Sequence, residues 1–366
     1  MNFPRSLQLS LVALCGLALG PVQAAEPVVH LYNWYDFIGP EVTKDFARDS
    51  GIQTLLDTFD SGEVLTSKLL TGRSGYDVVV VTDSLLPNLI KAGVLAELPR
   101  EQLPNWQRLD GAILDKLQSN DPDNRHAVPY LWGTTGIGYD QAKVKAALGD
   151  SAPVDSWELI FKEDNLAKLS QCGVAMLDAP GEIIPIALHY LGLPPNSRNP
   201  ADYKQAEALL AKVRPHIRYF DSSKFITDLS NGDICVVLGW GGGVFEAQKN
   251  AKAANNGRDI RYSIPREGAP VWMESLVLLK DAPHPQQGLA LIDYLMRALP
   301  MAATSNHVGY PNANLDASPL VDAEIRNNPG VYPSAEVMAT LFTLEPLPLK
   351  VERVRTRTWN KIKTGS

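Results

Sequence analysis

Hydrophobic and polar positions change rhythm several times along the first third of the chain. Residues 28–33, 52–58 and 76–82 are short runs rich in β-branched and aromatic side chains, separated by amphipathic stretches that begin near Pro40 and Gly62. Runs of the first kind predict strands, and stretches of the second kind predict helices. The resulting βαβαβ order predicts an open α/β sheet, in which ligands bind beyond the carboxyl ends of the strands. The first strand runs into Asn33-Trp34-Tyr35-Asp36-Phe37, so an aromatic and acidic cluster is expected at the mouth of that sheet. Asp83 or Ser84 has the character of an N-cap for the helix after the third strand.

Residues 129–139 read Pro-Tyr-Leu-Trp-Gly-Thr-Thr-Gly-Ile-Gly-Tyr, a strand-like segment interrupted by glycine and a candidate crossover between two lobes. A second set of α/β elements follows, with strands at 175–177 and 234–239 and helices at 183–191 and 201–213. The chain is then expected to return through 260–264 to a strand at 275–279 and a helix at 285–298, with further helical patterns near 334–341 and 350–363. There is no internal repeat of solenoid period. No Pro/Gly-rich linker cuts the chain in half, which points to discontinuous lobes. The expected division is a leader at 1–24, an N-terminal lobe from 25–133 and 260–325, and a C-terminal lobe from 134–259 and 326–366.

The leader sets the compartment. Arg5 precedes an apolar run at 7–19 that is too short to span a bilayer and ends near Val22-Gln23-Ala24, the pattern of a secretory signal peptide cleaved to leave a mature start near Ala25. Cys15 departs with it; a lipoprotein keeping Cys15 as its first residue would need something smaller than Leu14 before it. The remaining 342 residues suffice for about two domains, and no second long apolar segment follows, so a soluble periplasmic protein is expected. Loss of Arg5 takes the formal net charge from −7 to −8. An acidic chain without a basic cluster has no footprint for nucleic acid and fits a cationic small ligand. The mature cysteines, Cys172 and Cys235, are even in number in an oxidising compartment, which leaves open a disulfide or two buried thiols.

Tryptophan carries the most information about chemistry. Trp34, Trp240 and Trp272 each fall at or near the end of an expected strand, in Asn33-Trp34-Tyr35-Asp36, Gly239-Trp240-Gly241 and Trp272-Met273-Glu274. Taken singly, each reads first as a core residue with a solvated acid beside it. Recurrence at three strand ends favours a cation cage, in which an aromatic face contributes about 0.5–2 kcal/mol and a carboxylate supplies the full charge. The glycine-rich run 239–243 lacks a following Gly-Lys-Ser/Thr and contains a tryptophan, so it is no phosphate cradle. Glycine there and at 133–138 is expected to permit unusual backbone angles or a close approach. No Gly-x-Ser-x-Gly, His-Glu-x-x-His or Cys-x-x-Cys is present, and the six histidines lack ligand spacing. Asp36, Glu182 and Glu274 could pair as hydrolytic carboxylates, yet serve cation binding equally well. A binding protein is expected rather than an enzyme, with no metal and no cofactor. The basic run Arg353, Arg355, Arg357, Lys361, Lys363 reads as a solvated helix face.

These segments together resemble a family, the periplasmic putrescine- and spermidine-binding proteins of polyamine ABC transporters, most of all their putrescine-binding branch. The resemblance spans nearly the whole mature chain and is carried by Leu31-Tyr32-Asn33-Trp34 with Asp36, Thr58-Phe59-Asp60-Ser61-Gly62-Glu63, Gly75-Tyr76-Asp77-Val78-Val79-Val80, the run 132–139, Asn231-Gly232-Asp233-Ile234-Cys235 through Gly239-Trp240, and Gly309-Tyr310-Pro311-Asn312-Ala313. It implies a two-lobed class II solute-binding fold with the ligand cleft between the lobes. It further implies a monomer that carries a polyamine or related cationic amine to the membrane permease of an ABC importer. The implied amine site comprises Trp34, Asp36, Ser84, Glu182, Trp240, Trp272 in place of a phenylalanine, Glu274 in place of an aspartate, and Tyr310, with Tyr35 and Phe37 flanking the acid. It also implies a Cys172–Cys235 disulfide. One departure stands out: the family's Trp-x-Gly-Asp is here Trp240-Gly241-Gly242-Gly243, so Gly243 replaces an acid. Spermidine, a modified diamine or an ω-amino acid thereby join putrescine as expected ligands.

Overall fold

Four consecutive valines, Val78 to Val81, are wholly buried, the signature of a strand covered on both faces. They form β3 (Val78–Thr82) in the computed structural model, which describes residues 26–35 and 37–365. The leader, Cys15 and Asp36 lie outside the described residues. The other strands are β1 (Val28–Trp34), β2 (Gln53–Phe59), β4 (Ala127–Asp140), β5 (Val174–Met176), β6 (Tyr219–Phe220), β7 (Val236–Trp240), β8 (Ile260–Ser263), β9 (Pro270–Leu278) and β10 (Phe342–Thr343). Their order is β2-β1-β3-β9-β4-β7-β5-β6, with β10 on β9 and β8 on β4. β1 lies parallel to β2 and β3, joined through the helices Val42–Ser50 and Gly62–Leu70, as the βαβαβ pattern predicts.

The two lobes share β4. Its first part, Ala127 to Thr134, pairs antiparallel with β9; its second part, from Thr135, pairs with β7 and β8. All fourteen of its residues are buried, and its glycines are there for close approach. A Cβ on Gly133 would stand 2.4 Å from the Trp272 ring, and one on Gly136 would stand 2.5 Å from the Ser263 carbonyl. Gly133 and Gly136 are therefore the seats on which neighbouring groups press against the shared strand.

Two segments near the expected lobe boundaries have strand partners. Ile260 to Ser263 pairs as β8 with the second part of β4, and β9 pairs with the first part. Near the end of the chain, β10 pairs parallel with Pro270 and Val271 of β9. After residues 344–348 the helix Leu349–Thr364 packs on the helices Pro180–Tyr190 and Pro200–Val213. The expected cap after β3 differs. Asp83 to Leu85 form a short 3-10 turn, and the helix Leu86–Ala92 starts without a side-chain cap, because Asp83 is turned inward.

Cys172 and Cys235 form a disulfide with a Cα separation of 5.5 Å. They precede β5 and β7, which pair in parallel from Val174 and Val236, so the bridge fastens two neighbouring strands at their start. Among the described residues, no helix is long and apolar enough to cross a membrane.

Candidate functional site

A cavity of about 1030 Å³ opens where strands from both lobes end. Trp34 closes β1, Thr82 closes β3 and Trp240 closes β7, and β-sheet register sets Glu274 of β9 opposite Thr82. This is the carboxyl-end placement that open α/β sheets give their ligands. The second lobe adds Glu182 from the first turn of the helix Pro180–Tyr190.

Each lobe holds one acid in the same manner. The Trp34 indole N–H donates to Glu274 Oε2 at 2.7 Å, and the Thr82 hydroxyl donates to Oε1 at 2.7 Å. Across the cleft, the Trp240 indole N–H donates to Glu182 Oε1 at 2.8 Å, and the Thr135 hydroxyl donates to Oε2. Burial pushes the Glu274 carboxyl up to about 7, against the pull of its two donors, and raises Glu182 in the same way. Neither acid is held down by an arginine or lysine among the described residues. An acid buried with only neutral donors is unfavourable when ionised, and an entering cation restores its charge.

Aromatic rings fill the space between these acids. Trp34 packs on Phe59 with centroids 4.5 Å apart, and Trp272 meets Tyr310 edge-on at 5.1 Å. Phe37 lies 5.5 Å from the same tyrosine. Tyr310 reaches across to the second lobe because Gly242 has no side chain; a Cβ there would stand 2.0 Å from its hydroxyl. Burial raises the Tyr310 phenol, which stays neutral. Tyr35, 78% exposed, stands at the rim. The Trp272 indole N–H is buried and has no partner.

Trp34, Tyr35, Phe37, Ser84, Glu182, Trp240, Trp272, Glu274 and Tyr310 all border this cavity. Asp36, the tenth residue of the sequence-derived set, lies outside the described residues. Gly243 does not border it. A Cβ at 243 would stand 2.5 Å from the Phe225 ring, because the helix Gly241–Ala253 turns that position toward the helix Lys224–Asn231. The sequence reading did not place in the site Thr82 and Thr135, the hydroxyls that bind the acids, or Asp83 and Arg355, which border the cavity. Asp83 alone gave a signal, an acid directly after a strand, and it was read as a cap. Among the described residues, no cluster of three or more histidine, cysteine or acidic side chains could hold a metal.

A ligand-sized cleft between two α/β lobes, with one strand shared across it, is the architecture of a solute-binding protein. The chain belongs to the bacterial extracellular solute-binding proteins, whose family model matches residues 41–333. It is 62% identical over 362 residues to a putrescine/agmatine-binding protein of Pseudomonas aeruginosa, covering 99% of each chain. It is 48% identical to the putrescine-binding periplasmic protein PotF of Escherichia coli, covering 96% of each. Its fold is similar to that of the spermidine/putrescine ABC transporter substrate-binding protein PotD of Streptococcus pneumoniae, with a TM-score of 0.83, 23% identity, and coverage of 93% of this chain and 99% of that one.

Proposed function

We propose that the protein is the periplasmic receptor of an ABC importer for a small cationic amine, a diamine or its guanidino relative. The observation that carries this reading is the pair of buried acids, Glu274 and Glu182, each bonded by an indole N–H and facing a cavity rich in aromatic rings. The names of the similar proteins from Pseudomonas aeruginosa and Escherichia coli support the same ligand class. Trp34, Phe37, Trp240, Trp272 and Tyr310 would enclose the alkyl chain and face the cationic ends, with Tyr35 and Ser84 at the periphery and Asp36 as a further acid for the ligand. The leader at 1–24 would export the chain, and the mature monomer would hand its ligand to the membrane permease. The lobes would divide within β4, between β8 and β9, and at 344–348.

An ω-amino acid is disfavoured by the same cavity. Its carboxylate would meet Glu182, Glu274 and Asp83, while among the described residues the bordering cations are Lys91 and Arg355, the latter paired with Glu352 at 2.6 Å. Calorimetric titration of the mature protein with putrescine, agmatine, spermidine and 4-aminobutyrate tests the reading. Micromolar or tighter binding of at least one amine, worth about 8 kcal/mol, is expected, with none of 4-aminobutyrate. Preference for the amino acid would refute it.

A further inference from the structure

The helix Pro180–Tyr190, which presents Glu182 from its first turn, has little of its own to fix where it begins: Ala179 at the cap position has no side-chain acceptor, and Pro180 follows it. The residues around that start are held from the far end of the chain. Asp178 Oδ1 accepts the Trp359 indole N–H at 2.8 Å, and Oδ2 accepts the Lys363 ammonium, both donors lying on the helix Leu349–Thr364. Trp359 is 3% exposed, with its ring set edge-on against Phe220 at 5.0 Å. One turn earlier on the same helix, Arg355 lies over Gly181. A Cβ at 181 would stand 3.7–3.8 Å from Nη2, Cζ and Nη1 alike, so the plane of the guanidinium faces that residue, and Glu352 holds Nη2 at 2.6 Å. The C-terminal helix thus touches the chain on both sides of Pro180, at Asp178 and at Gly181, directly before Glu182.

We infer that Trp359 is a positioning residue for amine binding, which through Asp178 sets the place of Glu182 although Trp359 itself does not border the cavity; this rests on the amine reading above. The Glu182 carboxylate meets the Trp240 indole N–H and the Thr135 hydroxyl, which come from β7 and β4, only if the first turn of its helix delivers it to them. Binding groups of this kind work when held within about 0.5 Å of their place. Of the two donors on Asp178, the indole carries the hold. Lys363 and Asp178 have side chains 38% exposed each, so water screens their attraction. The indole N–H belongs to a buried ring that cannot turn away, and its bond to a carboxylate is charge-assisted. Arg355, flat on Gly181, supports the same turn from the cavity side.

Trp359→Phe keeps a ring against Phe220 and removes the N–H, while Asp178→Ala removes the acceptor and leaves Trp359 in place. Calorimetric titration of each with putrescine and agmatine should show binding about tenfold weaker than in the wild type. Lys363→Met, which removes only the screened partner, should stay within about threefold. The decisive measurement repeats Trp359→Phe and Asp178→Ala in the Glu182→Gln protein, with the weaker binding read by ligand-observed NMR. There each should change affinity by less than about threefold, because the residue being positioned is already lost. A general role in folding would weaken binding alike in both backgrounds. That result, or unchanged affinity in the two single variants, overturns the inference while leaving the amine reading intact. Should Trp359→Phe fail to fold, Asp178→Ala decides by the same comparison. Failure of the wild-type protein to bind any amine overturns both.

Discussion

Glu274 and Glu182 stand on opposite walls of one cleft and are held alike, each by an indole N–H and a threonine hydroxyl. Their surroundings differ. Asp83 borders the cavity on the wall of Glu274; on the other wall Thr135 of the shared strand holds Glu182, and Gly242 makes room for Tyr310. The shared part shows that each wall is made to receive positive charge, while the unshared part makes the two ends inequivalent.

Removing one acid at a time sharpens this comparison most. Glu182→Gln takes the acid from a wall with no second acid beside it, and should weaken amine binding by about 3–5 kcal/mol, as loss of one partner of a buried ion pair does. Glu274→Gln leaves Asp83 behind and should cost less, about 1–3 kcal/mol. Calorimetry showing the reverse order would mean that Asp83 stays protonated with ligand bound. A difference of the same scale should appear in stability, because the disulfide belongs to the second lobe alone. Replacing both cysteines by alanine should lower stability by up to about 4 kcal/mol in the chain-entropy account, read by urea unfolding, with the amine still bound at saturating concentration.

The pH response should follow the acids of the first wall. Glu274 and Asp83 are both pushed up to about 7 by burial, whereas in the unfolded chain they release their protons near 4.5 and 3.8. The native protein therefore holds more protons than the unfolded one between those limits, and stability should fall as pH rises from about 5 to 7. For Glu274 alone the loss is about 3 kcal/mol, complete above pH 7. Thermal denaturation of the ligand-free protein should show this slope, saturating amine should flatten it, and Glu274→Gln should reduce it. The smallest expected effect is that of Gly243→Asp. With its Cβ aimed at Phe225, the new side chain should lower stability by about 1–3 kcal/mol through overpacking. It should leave putrescine affinity within about threefold; a gain larger than that would show that the helix Gly241–Ala253 rotates when ligand enters.

Much of this was legible in the chain because it depends on local rhythm. The buried valines of β3 and the glycine-spaced run of β4 announce strands, and three tryptophans at strand ends mark the cleft. What escaped depends on direction and distance. Asp83 has the sequence context of a helix cap, and only tertiary packing turns it toward Asn120 and Met273. Gly243 occupies the position of an acid in the resembling family, yet one step of helical rotation decides which face it presents, and that face is the Phe225 side. Thr135 is one small residue within a buried strand, and its bond to Glu182 spans 47 positions. β10 was not legible because it has only two residues, too few for a periodic signal.

The seat that Gly133 provides for Trp272 has a further consequence. The indole rests on β4 one residue before the strand passes from its pairing with β9 to its pairing with β7. Trp34 and Trp240 flank the same space, each tied through its N–H to a carboxylate whose charge a cation would change. Indole emission responds to nearby charge and to the polarity around the ring, so the protein carries its own optical gauge. Ligand entry, proton release and any bending of the shared strand should all register as a shift in intrinsic fluorescence, without an added dye.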